Sequence, residues 1–520
     1  MHRPSSQSLF ALVFAALCGL PSASSLAAEL TRVTPDDPRL EYVGRWNFDE
    51  PARPWCAWQG CSVTVKFDGA ALGVSMDVGG TEYFGVLVDD DIDSFRKFEA
   101  TSGVGVYPLA AGLGPGPHKV ELIRESYSGS SWEWQVRGFG VLDGQLLDPD
   151  PPLTRRIELY GDSNLAGTSN EDERDRWWAR DVKTSTFVFA GIVARMFDAE
   201  YHNLSWGGAT ISSINARFDR MKYDTGSEPW DHARFPADVV VANIGANDVN
   251  RPKEAVKADY HAFLDDLRAV HPQAHVVLFN AWGWDFDEPA NYTDEVIAER
   301  GDPNMSSAIF PWVFEQFHGC QYDQGGMAQV LADHLTAVLG WQQKPIDTLD
   351  GFGKNGDVAN GSFEGVAPFG GWAWRYMEDA GVERVFDPAA AHDGDHYLEL
   401  YDGAATHQPN PAVDGDVVTA TVWMRGTAVG DRARLTIDFR NQQLWTDPLA
   451  SHSDIVELTT DWQPFTVSAT APVGLPDPVF HTRLTIEAGP GSRIHVDSIS
   501  QTTGHVRLIA APRAGAESRP

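Results

Sequence analysis

Residues Leu159–Gly167 read Leu-Tyr-Gly-Asp-Ser-Asn-Leu-Ala-Gly and follow Arg155-Arg156-Ile157-Glu158, a stretch of strand character. The strand therefore ends in Gly161-Asp162-Ser163. Gly, Asp and Ser are turn formers on steric and hydrogen-bonding grounds. A serine at the carboxyl edge of a sheet is also where an α/β domain can present a nucleophile. The chain on either side of the tripeptide decides between a plain turn and a site.

From about 155 to 342 strands and helices alternate. After the first strand comes a helix expected around 184–197, then a strand over 199–205 and another over 237–245. Pro252 opens a helix whose apolar residues Val256, Tyr260, Phe263, Leu264 and Leu267 share one face. A strand over 274–282 and an amphipathic helix over 327–341 complete the pattern. Runs such as Val239-Val240-Val241 are apolar on both faces, as strands of a covered parallel sheet are. The expectation is a doubly wound α/β domain that binds its ligand at the strands' carboxyl ends.

The flanks read differently. Before residue 150, short segments alternate apolar and polar residues and are punctuated by Gly, Pro and Asp, the signature of a β-sandwich. The same pattern returns after the glycine-rich stretch 347–361 and runs to about 505. Arg3 followed by an apolar run and a small-residue stretch reads as a secretory leader. The expected organisation is a leader over 1–28, a β-sandwich (jelly roll) over 29–150 and a doubly wound α/β domain over 151–345. A linker over 346–356, a second β-sandwich over 357–505 and a tail over 506–520 follow. No later segment reads as transmembrane, and secretion to the cell exterior or periplasm is expected.

The 520 residues carry 40 basic and 73 acidic side chains, a formal net charge of −33. Such a surface repels nucleic acid and anionic membranes and suits a neutral ligand. Oligomeric state is not readable. Cys56 and Cys61 are close enough to bridge in an oxidising compartment. No Cys/His spacing resembles a zinc site, and no metal or organic cofactor is expected for catalysis.

Three features of the α/β segment fall where one site can form. Ser163 ends the first strand, Asn203–Thr210 (Asn-Leu-Ser-Trp-Gly-Gly-Ala-Thr) follows the second, and Gly245-Ala246-Asn247-Asp248 ends the third. Acyl transfer needs a nucleophile, oxyanion donors and a base. Ser163 supplies the first. Its own N–H, the N–H of Gly208 (or Gly207) and the Asn247 side-chain amide supply the second. The base is a late histidine: His318, in a loop with Glu315 three residues upstream, or His334, inside the last helix.

Gly-Asp-Ser, the glycine after the second strand, Gly-x-Asn-Asp and a late histidine together resemble the four blocks of the SGNH (GDSL) hydrolases, across residues 155–342. The preceding β segment is similar to the jelly-roll-plus-SGNH layout of carbohydrate esterase family two. That resemblance implies acetyl removal from xylan, glucomannan or related polysaccharides. It assigns Ser163 as nucleophile, Gly208 and Asn247 as oxyanion donors and His318 as base. The family's histidine block usually reads Asp-x-x-His-Pro, where this chain has Glu315 and Gly319; Glu315 is therefore either the acidic partner or a bystander. A lipid or aryl esterase, or a polysaccharide-binding protein without catalysis, would share these features.

Sugar rings present flat C–H faces that pack on indole. Trp206, beside the oxyanion glycine, and Trp282 and Trp284, after the fourth strand, are candidate substrate contacts. The C-terminal sandwich looks like a carbohydrate-binding module of the galactose-binding-like jelly-roll class, with Trp372, Trp374, Trp423 and Trp445 as candidate platforms. Asp387, Asp393 and Asp395 are candidate ligands of a structural calcium.

Overall fold

The computed structural model describes residues 29–126, 133–171, 178–281, 292–310, 318–344, 358, 361–364, 374–375, 381–407, 410–441, 447–479 and 481–503. Glu315, Trp282, Trp284, Trp372 and Trp445 lie outside these residues, as do the expected leader, linker and tail.

Five parallel strands form the central sheet: β1 (Arg155–Gly161), β2 (Ala199–Ser205), β3 (Val239–Asn243), β4 (His275–Ala281) and β5 (Met305–Phe310). Their order is β2-β1-β3-β4-β5, so the chain turns back between β1 and β3. Open α/β sheets form their ligand crevice at that reversal. Every residue of β3 and of β4 is buried, as the apolar runs require of a sheet covered on both faces.

Side chains alternate across β1. Ile157 and Leu159 pack with α1 (Phe189–Met196) and α5 (Gln321–Leu339) on one face. Tyr160 points to the other face, covered by α2 (Ile211–Asn215), α3 (Lys253–Val270) and α4 (Tyr292–Arg300). The expected apolar face of α3 is present, and Val256, Tyr260, Phe263, Leu264 and Leu267 are all fully buried. Helix α1 is shorter than expected at its start. The Glu125 carboxylate, from the N-terminal domain, accepts hydrogen bonds from the Thr184 hydroxyl at 2.6 Å and the Ser185 and Thr186 N–H groups at 2.5 and 2.9 Å. Residues 184–186 are thereby held outside the helix.

Residues 30–146 form two antiparallel sheets of five and six strands. Trp46, Trp134 and Phe84 meet edge to face between them, with centroids 4.8 and 5.0 Å apart. Their apolar cluster is continuous with the one beneath α3 and α4, so the β-domain and the α/β domain share a core. Cys56 and Cys61 form the expected disulfide.

Residues 374–503 contain two further antiparallel sheets of six and five strands. Val417–Gly426 alternates strictly, with Val418, Ala420, Val422 and Met424 fully buried. Trp374 departs from the expected platform role. It is fully buried, packed against Phe363 and edge-on to His407, because its strand turns the indole into the core. Trp423 is half-buried beneath His392, whose ring stacks on it at 3.8 Å.

Candidate active site

The turn after β1 depends on close packing at its glycine. A Cβ on Gly161 would lie 2.6 Å from the Asn243 carbonyl of β3 and 2.7 Å from Leu165 Cβ, so a larger residue would push the turn off the sheet. The chain then curls, with Ala166 N–H donating to Asp162 O and Thr168 N–H to Ser163 O, both at 3.0 Å. Asp162 and Asn164 are buried, and Ser163 between them keeps part of its surface in solvent. Burial pushes the Asp162 carboxyl up to about 6, against the opposing pull of the Asn164 N–H that donates to it.

His318 comes to this serine from 155 residues away in sequence: its Nε2 lies 2.9 Å from Ser163 Oγ. The start of α5 is stitched to the serine turn. Gln321 N–H donates to Asn170 O at 2.8 Å, and Gln324 Nε2 donates to Asn164 O at 3.3 Å. The Gln324 side-chain carbonyl accepts from Phe189 N–H at the head of α1. His334 is placed elsewhere. It is buried on α5 with Nε2 2.7 Å from Ser306 Oγ of β5, and burial lowers its pKa to about 4.

The two expected oxyanion donors are brought onto one loop pair. Gly208 has φ +76°, a left-handed conformation suited to glycine, and a Cβ there would meet nothing within 4 Å, so open space borders its backbone. Asn247 is exposed and donates from Nδ2 to Ala209 O at 2.9 Å, the residue after that glycine. Asp248 fastens the pair from below: its buried carboxylate accepts from Ile211 N–H at 3.0 Å and from Arg251 at 2.6 Å. Trp206 N–H donates to Gly161 O at 3.1 Å, tying the glycine loop to β1.

Trp206, expected at the site, stands beside it half-buried. Asp248 and Gln324 escaped the sequence reading. Asp248 was visible in the Gly-x-Asn-Asp block; nothing in the sequence marked Gln324. Asp387, Asp393 and Asp395 are not gathered into a ligand set, and the Asp387 carboxylate accepts from Ala389 N–H as in an ordinary turn. Among the described residues, carboxylate and imidazole groups converge at Glu158, His232 and His271. There Arg45, His202 and His271 already surround the Glu158 oxygens.

A partly exposed serine, an imidazole at hydrogen-bond distance, and a glycine backbone and an exposed amide on adjoining loops are the parts of an acyl-transfer site. Comparison with known proteins agrees. Residues 42–151 match the carbohydrate esterase 2 N-terminal family, and residues 159–307 match the GDSL-like lipase/acylhydrolase family. The chain is 28% identical over 333 residues to the cellulase/esterase CelE of Acetivibrio thermocellus, covering 59% of this chain and 40% of that protein. It is 26% identical over 352 residues to an acetylxylan esterase/glucomannan deacetylase of Cellvibrio japonicus, covering 62% of this chain and 94% of the relative. The fold matches a solved family two carbohydrate esterase from Clostridium thermocellum in complex with cellohexaose, with TM-score 0.52, 24% identity and 58% and 99% of the two chains covered. It also matches that of a family two esterase from Cellvibrio japonicus, with TM-score 0.54, 20% identity and 60% and 99% covered. Along the chain, a match to the carbohydrate esterase 2 N-terminal domain over residues 42–151 is thus followed by a match to a GDSL-like acylhydrolase domain over residues 159–307.

Proposed function

We propose that this protein is a secreted serine esterase that removes O-acetyl groups from a plant-type polysaccharide such as xylan or glucomannan. The observation that carries the reading is the 2.9 Å contact of His318 Nε2 with Ser163 Oγ at the sheet's reversal point. His318 takes the hydroxyl proton as Ser163 attacks the acetyl carbonyl. The N–H groups of Gly208 and Ser163 and the Asn247 amide receive the oxyanion. His318 then returns the proton to the sugar oxygen, which leaves, and activates the water that releases acetate from the acyl-enzyme. This chemistry draws on protein groups alone, and Glu315 is proposed as the histidine's acidic partner.

The similarity to a cellulase/esterase and to an acetylxylan esterase/glucomannan deacetylase supports an acetylated polysaccharide as substrate. Net acidity supports a neutral polymer over an anionic one. The residues after about 357 are proposed to bind carbohydrate as a galactose-binding-like jelly roll, with Trp423 the platform candidate among the described residues.

Acetate release from acetylated xylan and acetylated glucomannan tests the proposal. Wild type should release acetate from at least one polymer, while Ser163→Ala and His318→Ala abolish release. A wild type that hydrolyses small acetyl esters but neither polymer overturns the polysaccharide reading. Release that survives Ser163→Ala overturns the mechanism.

A further inference from the structure

Trp206 is held by a column of side chains that the acyl-transfer chemistry does not use. Tyr223 stacks on its indole with centroids 4.6 Å apart and planes 6° from parallel. The Arg217 guanidinium lies 4.6 Å from the Tyr223 ring centroid on the same phenol. Both are anchored to α2: Tyr223 hydroxyl donates to Ser213 Oγ at 3.0 Å, and Arg217 to Ser213 O at 2.8 Å. The N-terminal domain braces the column from the side. Trp58 meets Tyr223 edge-on at 6.1 Å and 85°. Next to it, Lys222 donates to Glu133 at 2.9 Å and its ammonium lies 5.2 Å from the centroid of Trp55.

An indole so fixed has little rotamer freedom left to lose on contact with a ligand. It lies two residues before Gly208, whose backbone borders open space, and its own N–H is tied to the last residue of β1. We infer that Arg217, Tyr223 and Trp206 form a subsite for the pyranose ring that carries the ester. In it Trp206 makes the contact, Tyr223 and Arg217 are positioning residues, and the N-terminal domain keeps the column upright. The inference rests on the polysaccharide esterase reading and adds the residues that select the sugar.

Steady-state kinetics on the full chain test it, comparing acetylated xylan or glucomannan with p-nitrophenyl acetate, which has no sugar ring. An aromatic stack of this kind should change the ratio of kcat/KM on polymer to kcat/KM on the small ester by about three- to tenfold. Tyr223→Ala should lower that ratio through KM on polymer, and Tyr223→Phe, which keeps the stack, should restore it. Combining Tyr223→Ala with Trp206→Ala should cost no more than Trp206→Ala alone, since one acts through the other. An unchanged ratio in Tyr223→Ala, with wild type active on polymer, overturns the subsite while leaving the esterase reading intact. Additive losses in the double variant overturn the positioning role. A wild type inactive on polymer overturns the polysaccharide reading, and the subsite with it.

Discussion

Arg45 of the N-terminal domain donates to Glu158 of β1 at 2.8 Å, and both side chains are wholly removed from solvent. Burial alone would raise the Glu158 carboxyl. The Arg45 charge outweighs it, with help from His202 and His271, and holds the group well below the usual carboxylate range. The second carboxylate oxygen is also occupied, with His271 Nε2 2.6 Å away. The pair joins the two domains five residues before the nucleophile.

Removing one partner of such a pair strands a buried charge, at about 3 to 5 kcal/mol. Arg45→Met should therefore lower stability by that amount in urea titration. Arg45→Met combined with Glu158→Gln should recover much of the loss, because no charge is then left unpaired. Equal instability of the single and double variants would show that the arginine acts through shape alone.

The fold was legible wherever periodicity was strong. The apolar runs of β3 and β4 and the helical stripe of α3 named their elements because those strands are covered on both faces and that helix on one. β5 and α4 were not read from the sequence. β5 is the sheet's edge strand, with only Met305, Ala308 and Phe310 buried, so Met305–Phe310 carries a weak apolar signal. α4 buries only Tyr292, Thr293 and Val296 and shows little amphipathic pattern. At the site, Ser163, Gly208 and Asn247 were readable because each ends or follows a strand. His318 was favoured over His334 because it falls in a loop and not within a helix, while its distance to Ser163 is set by the fold. Glu158 gave no local sign of its importance: it occupies a buried strand face, and its partners stand 113 residues away on either side.

His334 offers a separable test of acid sensitivity. Burial lowers its pKa to about 4 from 6.5, so between those values the unfolded chain binds a proton that the folded chain refuses. Stability from this group is complete above pH 6.5 and is lost as pH falls toward 4, by at most about 3 kcal/mol. His334→Asn removes the titration while leaving a polar group near Ser306. Denaturant midpoints of wild type and variant, compared at pH 7 and pH 4, should converge at the lower pH. Parallel curves across that range would mean that His334 titrates normally in the fold.

Trp374 separates core from platform in the C-terminal sheets. Its indole is fully buried against Phe363 and His407, so Trp374→Ala should open a cavity and cost about 3 to 5 kcal/mol. Protease sensitivity of residues 374–503 should rise accordingly. Trp423→Ala removes a half-buried ring under His392 and should destabilise less. A Trp374→Ala protein as protease-resistant as wild type would contradict the buried placement.

Asn247 tests the oxyanion assignment without touching nucleophile or base. Its amide already donates to Ala209 O, which fixes the side chain beside the Gly208 backbone before substrate arrives. A donor held in this way adds most where charge develops in the transition state, and removing one such donor costs about 10²- to 10³-fold in kcat. Asn247→Ala should show that loss on a small acetyl ester with KM changed far less, because the ground-state carbonyl makes the weaker hydrogen bond. A rise in KM at constant kcat would instead make Asn247 a substrate-binding residue and leave the oxyanion to the backbone N–H groups of Ser163 and Gly208.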